Sequence, residues 1–532
     1  MSDDSTTQCL LFPGIFRKPI VAQFDQREGS SDGGALLLKA ADRCYGLLDE
    51  LTACLRDQRQ AGKVDHGLRE LLAQRVFSIA CGYPDANDSA RLASDPIHKL
   101  LLDRDPVEGR DLASQPTLSR FENGVGVKEL YRMGEALAVS VMRHHGKRLR
   151  RRAYRVTIDL DPTDDPTHGA QQLSFFNGHY DNWCYLPVLG FVSFNEEAEQ
   201  YLCAAVLRPG NVTAAVGAVG LLRRLVRIIR SRFPDVQIRV RLDGGFAHPA
   251  VLEFLDAQPK LEYVVAMAKN AVLKRAAAPG IRRARQLSRS SGKTEHIYGE
   301  VRYAARKWPA LRRVVIKAEV VRAPEKDPKD NPRFVITNMK QGPQWIYERV
   351  YCRRGDIENR IKELHDLEID RTSCTSFWAN QFRVLLTAAA YVLMQELRLR
   401  AAGTACARAQ VGMLRERLLK LGVRVLVRYD ASSFTCPHRF RFYRPSDKSL
   451  WHWALPLDDT ASKLTNPIPI IPSAEGWHRL GPFFICIVRS CDPAASRWKL
   501  IPCFPPPLTT ARLRSSFHDT ARSRKTFMNN AG

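Results

Sequence analysis

The chain has 532 residues, with 81 Lys+Arg against 56 Asp+Glu and hence a formal charge of +25. With 45% hydrophobic and 9% aromatic residues it has material for about three packed domains of ~100–200 residues each, which excludes wholesale disorder and fibrous structure. So large a basic excess points to a polyanionic partner, because Lys and Arg set against phosphates release condensed counterions whatever the sequence.

Thirteen cysteines stand far apart, with no C-x-x-C pair, so neither a disulfide framework nor a zinc knuckle is expected. The opening residues lack the basic flank and apolar run of a signal peptide. The longest apolar stretch, Val384 to Met394, falls short of the ~20 residues of a spanning helix. A soluble protein in a reducing compartment, with no membrane partner, is the expectation.

Residues 1–32 read as an N-terminal extension. From 33 to 150 the apolar spacing is helical, as in Leu68, Leu71, Leu72, Val76 and Phe77 and again in Leu130, Met133, Leu137 and Val141. This all-α region is the candidate DNA-binding region. Within it, Ser114 to Asn123 has Ser and Pro where a helix would start. It reads either as a groove-reading helix or, preferred, as a capped bundle helix. The region ends in a basic run whose Arg150, Arg151 and Arg152 are candidate phosphate contacts.

The period then changes to 2. Val156, Ile158 and Leu160 share one strand face while Thr157, Asp159 and Asp161 share the other. Trp183 to Phe194 and Tyr201 to Val206 read as the next strands, Val212 to Phe233 as a helix, and Gln237 to Asp243 as a fourth strand carrying Arg239, Arg241 and Asp243 on its polar face. Three meandering strands and a helical crossover to a fourth is the layout of a ribonuclease-H-like mixed sheet, which sets the ends of the first and fourth strands side by side. Residues 151–258 are read as the first part of this α/β core. Residues 259–348 are read as a β-rich basic insertion, and 349–428 as the core's C-terminal helices.

In the helix expected from Tyr351 to Glu368, the residues Tyr351, Arg354, Glu358, Lys362 and His365 share one face, against Ile357, Ile361 and Leu364 on the buried one. Asp161, Asp243 and Glu358 thus form a carboxylate trio at one sheet edge. Three acids without a His or Cys cluster suit hard, oxygen-preferring Mg²⁺ or Mn²⁺, and two such ions serve in-line phosphoryl transfer. Asp159 is the rival first acid. Asp164, Asp165 and His168 are a weaker metal candidate on a Pro-interrupted loop. Tyr180 and Trp183 are read as core, with stacking on a base as the alternative.

These stretches resemble the DDE transposases of bacterial insertion sequences, in the insertion-sequence thirteen-eighty group related to piggyBac elements. The likeness runs through Leu160 to Gly169, Asn177 to Pro187, Arg241 to Phe246 and Tyr351 to Leu364, and spans roughly Phe16 to Val427. It implies Asp161, Asp243 and Glu358 as catalytic, metal-binding residues and Tyr351 and Arg354 as the tyrosine and arginine of the Y-R-E-K signature. The signature's lysine position is occupied by His365, with Lys362 one turn earlier as its substitute in contacting DNA. The resemblance further implies element-end and target DNA as partners, a homodimer or higher synaptic assembly, and a bacterial nucleoid-associated location. A stand-alone nuclease and a catalytically inactive DNA-binding derivative are the rival readings.

Residues 431–532 hold 12 of the 31 prolines, 4 of the 8 tryptophans and a single glutamate, Glu475. The tail from 429 is therefore read as irregular and Pro-rich, with a changed reading frame as the hypothesis.

Overall fold

The computed structural model describes residues 28–428, apart from 307 and 325, and the backbone of four short strands at Leu10–Phe12, Ile20–Ala22, Ile485–Arg489 and Trp498–Pro502. The reading of the tail falls outside the described residues save for the last two strands. These pair with each other, and the first of them runs parallel to Val423–Arg428.

Eight strands define the central sheet: β1 (Arg155–Pro162), β2 (Val188–Phe194), β3 (Tyr201–Val206), β4 (Gln237–Leu242), β5 (Leu261–Met267), β6 (Glu295–Tyr303), β7 (Arg312–Val321) and β8 (Arg333–Thr337). Their spatial order is β6-β7-β8-β5-β4-β1-β2-β3, with the two-residue strand Lys329–Asp330 added beside β7. β4 runs parallel to both β1 and β5, and the remaining neighbours pair antiparallel, so the sheet is mixed. β1, β2 and β3 form the expected meander. The crossover helix Ala218–Arg232 buries Leu221, Leu222, Leu225, Val226, Ile228 and Ile229 and returns the chain to β4.

The segment read as an insertion does not stand apart from the core. β5, taken as its opening strand, lies parallel to β4 with Ile238 opposite Leu261 and Leu242 opposite Val265. The later strands extend the same sheet by backbone hydrogen bonds. Between β5 and β6 lies a helix the apolar pattern had not announced, Ala271–Ser291, which buries Leu273, Ala277, Ile281, Ala284 and Ser288. Pro279 inside it and its many arginines obscure the stripe.

The N-terminal helices are likewise bound to the core. Helix Gln115–Gly124 buries Leu118, Phe121 and Glu122. Glu122 binds Arg75 Nε at 2.6 Å and Arg383 Nε at 2.9 Å, while Phe121 meets Phe382 edge-on at 5.2 Å. It is thus a bundle helix packed on Phe377–Arg400. The preceding helix, Pro96–Leu101, is separated from it by residues 102–114, too far for a tight helix-turn-helix. One apolar core runs from Ala35 to Val425.

Candidate active site

β1 and β4 set their polar faces in register: Thr157 opposite Arg239, Asp159 opposite Arg241, Leu160 opposite Leu242. One residue on, Asp161 and Asp243 stand at the carboxyl ends of adjacent strands, whose usual separation is about 4.8 Å. Asp243 leaves the sheet and caps the turn Gly244–Phe246, its Oδ1 accepting from the Gly245 amide at 3.0 Å. Asp161 is 8% exposed. Burial, opposed by Arg354 and reinforced by the charges of Asp243 and Glu358, pushes its carboxyl up to about 7.

Glu358 belongs to the helix Asp356–His365 and is exposed. Its charge is the lesser of the two carboxylate influences on Asp161, after that of Asp243. The expected single helix from Tyr351 is broken: residues Ile346–Tyr351 are π-helical and Cys352–Gly355 form a tight 3₁₀ turn before the α-helix starts. Arg354, in the 3₁₀ turn, reaches the other two acids. Its Nη2 donates to Asp161 Oδ1 at 2.5 Å and lies 4.0 Å from Asp243 Oδ2, while its buried Nε has no partner.

The donors are all carboxylate oxygens, the set a hard divalent cation prefers. A guanidinium already lies against two of them, so the arrangement attracts positive charge, and Arg354 must leave Asp161 before an ion is held there. Among the described residues the group whose ligand atoms all lie within 4.8 Å is a different one, Asp32, Cys81 and His98. The three acids are neighbours, not a closed ligand cage.

The other candidates separate clearly. Asp159 is fully buried; Arg241 grips both its oxygens at 2.6 Å and Gln200 Nε2 donates at 2.9 Å. The rival first acid is therefore consumed by the sheet. The Asp164, Asp165 and His168 group is not drawn together: Asp165 is buried and accepts from Thr372 Oγ1 at 2.9 Å, whereas His168 is exposed. Tyr351 packs against Tyr347 with ring centroids 5.3 Å apart and tilted by 51°. Lys362 is exposed. His365 Nδ1 pairs with Asp370 at 3.2 Å, a contact that raises its pKa. Arg150, Arg151 and Arg152 are exposed in the turn before β1, whose opening residue Arg155 lies six residues or ~20 Å of strand from Asp161.

The reading of Trp183 as core is corrected: it is 58% exposed. Tyr180 is half-buried, and burial together with Asp164, Asp161 and Asp243 pushes its phenol up to about 12. Sequence reasoning missed Arg208. It is 6% exposed and has no carboxylate partner, its Nε and Nη1 donating to the carbonyls of Leu186, Thr213, Ala214 and Val216 at 2.9–3.3 Å. Its Nη2 is buried without a hydrogen bond, and burial, eased by Tyr180 and Asp243, lowers its pKa to about 10. The only signal in the sequence was an arginine between an apolar strand and Pro209-Gly210.

No curated protein matches the sequence. A cryo-EM structure of a piggyBac transposase synaptic complex with hairpin DNA aligns with 72% of this chain and 78% of that one, at 9% identity and a TM-score of 0.33. The family described as transposase DDE domain group 1 matches residues 12–444. With a match over most of its length, the chain belongs to this family of DDE-domain transposases, enzymes that cut and join DNA.

Proposed function

We propose that Asp161, Asp243 and Glu358 are the catalytic acids of a ribonuclease-H-like core and that DNA at the ends of a mobile element is the substrate. The observation that carries the reading is the pairing of β1 with β4, which places two acids side by side where both strands end, with Arg354 against them. Strand order β3-β2-β1-β4-β5, with β2 alone antiparallel between β3 and β1, supports the core assignment. The three acids would hold Mg²⁺ or Mn²⁺, two ions in the proposal.

Such ions, when bound, supply Lewis-acid stabilisation of the phosphate oxygens and a more acidic attacking water. In the first step water attacks phosphorus and the bond to the 3′-oxygen breaks, leaving a 3′-hydroxyl on the element end. In the second that hydroxyl attacks a target phosphodiester and displaces its 3′-oxygen, so one phosphodiester is exchanged for another without outside energy. Arg354, freed from Asp161, would turn its fork to a phosphate oxygen. Lys362, His365 and the run Arg150, Arg151 and Arg152 are assigned to backbone phosphates along the duplex. A homodimer bridging two ends, acting at the bacterial nucleoid, completes the proposal. No described helix is long and apolar enough to cross a membrane.

The test uses full-length protein, Mg²⁺ or Mn²⁺, and DNA carrying the repeats that flank the gene. Wild type is expected to nick and then join. Asp161→Asn, Asp243→Asn and Glu358→Gln each lose both activities by ~10³-fold or more, since several kcal/mol of transition-state stabilisation is removed. Asp164→Asn keeps both. Wild-type rates in any one of the three would overturn the assignment.

A further inference from the structure

Beside the acids, a small three-stranded sheet carries an aromatic pair that packing does not explain. Its strands are Asp165–Pro166, Phe175–Asn177 and Asn182–Tyr185, with the last in the centre. Phe176 lies directly opposite Trp183 in the antiparallel register, so both rings rise from one face. They are 50% and 58% exposed, with ring centroids 6.4 Å apart and an interplanar angle of 66°. The next position along the strand, Cys184, turns to the other face and is fully buried. Two large rings held open to water on a hairpin are an unspent contact surface.

The hairpin is held firmly in place. Asn177 Nδ2 donates to the Gly210 carbonyl at 2.7 Å, and the Thr167 amide donates to the Trp183 carbonyl at 2.9 Å. At Gly210 even a methyl group would lie 2.0 Å from the Cys184 carbonyl, so loop and hairpin are pressed together. Tyr185 Oη donates to the Gln172 carbonyl at 2.8 Å, and the Gln172 amide donates to Thr375 at 3.0 Å, which ties the base of the hairpin to the start of helix Phe377–Arg400. The rings therefore stand on a preorganised support.

Their location relates them to the reaction. The strand Asp165–Pro166 begins four residues after Asp161, and the Thr163 amide donates to the Pro187 carbonyl at 3.1 Å just past the Asp161–Leu189 pairing of β1 with β2, so the hairpin with Tyr180 in its turn continues that ladder beyond the acid. Trp183 follows Tyr180 by three residues, at most ~11 Å of backbone. A nucleotide next to a phosphate held at the acids would thus have its base within reach of the rings.

We propose that Phe176 and Trp183 form a stacking platform for an unpaired nucleobase beside the phosphate undergoing reaction. The proposal rests on the transposase reading for its ligand, DNA. Two rings are far too small for a stable protein interface, which buries ~800 Å² on each partner, whereas stacking of one base needs no more than a pair of rings and accepts any base. The chain's charge of +25 supplies sequence-independent attraction for the rest of the strand.

The test needs neither cleavage nor a known element end, because stacking tolerates sequence. Full-length protein is titrated, without divalent metal, into two 2-aminopurine oligonucleotides: a fully paired duplex and the same duplex with the reporter base unpaired at its 3′ end. For wild type, quenching and tighter binding of the unpaired form are expected. The double variant Phe176→Ala, Trp183→Ala should bind that form roughly 5- to 100-fold more weakly, the range for losing base–aromatic stacking, with duplex affinity within about twofold of wild type. Trp183→Phe should keep most of the preference, since a ring remains. Unchanged quenching and affinity in the double variant would overturn the proposal, as would a wild-type dimer that the double variant dissociates while quenching persists, which would make the patch a contact between copies. Failure of the transposase reading would show separately, as a wild-type protein that stacks the base yet never cuts DNA with Mg²⁺ or Mn²⁺.

Discussion

Asp159 and Arg241 face each other across the parallel pairing of β1 and β4, with both carboxylate oxygens held at 2.6 Å, one step behind Asp161 and Asp243. The same polar face thus carries an acid matched one-to-one by an arginine and then two acids that share the single guanidinium of Arg354. Breaking a buried ion pair by removing one partner typically costs about 3–5 kcal/mol, because the survivor keeps its charge without water. Asp159→Asn is expected to lower the melting temperature markedly, whereas Asp161→Asn, which removes an acid that burial already disfavours, should leave stability at or above wild type while abolishing DNA cleavage. Differential scanning calorimetry beside a nicking assay checks both; equal stability losses in the two variants would contradict the division of roles.

Arg354 competes with a metal ion for the same oxygens. Replacing it by Gln removes one positive charge at a half-buried site, an interaction worth about 1–2 kcal/mol, so Mn²⁺ should bind the DNA-free Arg354→Gln protein about tenfold more tightly than wild type. DNA cleavage should fall in the same variant, because the guanidinium is also needed on the phosphate. Mn²⁺ titration followed by electron paramagnetic resonance reads the first effect; weaker Mn²⁺ binding would show that Arg354 assists the ion and does not oppose it.

Asp165 carries a stability cost that depends on pH. Burial, partly offset by the Thr372 hydroxyl, pushes its carboxyl from 3.8 up to about 8. The folded chain therefore holds this proton where the unfolded chain has released it. The contribution is fully present below about pH 4 and is lost as pH rises towards 8. Urea midpoints of wild type should fall over that window relative to those of Asp165→Asn, which cannot ionise. Parallel curves for the two proteins would refute the assignment.

Arg208 binds four carbonyls and no carboxylate. Lysine has the charge but not the planar fork, so Arg208→Lys should lose several of these bonds, at about 1.5–3 kcal/mol for each one to a charged donor that is left unmade. The expected outcome is lower stability together with faster amide hydrogen exchange across the loop 209–217. Wild-type exchange in that loop would show that the carbonyls are held by other means.

The parts of this architecture that were legible in sequence rest on local periodicity. Alternation along Val156, Ile158 and Leu160, with Asp159 and Asp161 between, fixes which side chains share a face, and a helical crossover leaves few places for the fourth strand. Which of two acids on one face is free was not legible, because Asp159 is claimed by an arginine 82 positions away in the chain. The pairing of β5 with β4 was missed for the same reason: an apolar run says strand but not which edge it will join. Trp183 was misread because hydrophobicity predicts burial only on average, and the single helix expected from Tyr351 is interrupted because π and 3₁₀ turns precede the α-helix at Asp356.

The strands β8, β7 and β6 continue the sheet of the acids by unbroken backbone hydrogen bonds, with β8 joined directly to β5. Such a wing cannot swing as a lid. A double helix lying across it would be gauged by a fixed ruler laid out from β5, so the fit between the two would have to come from the nucleic acid.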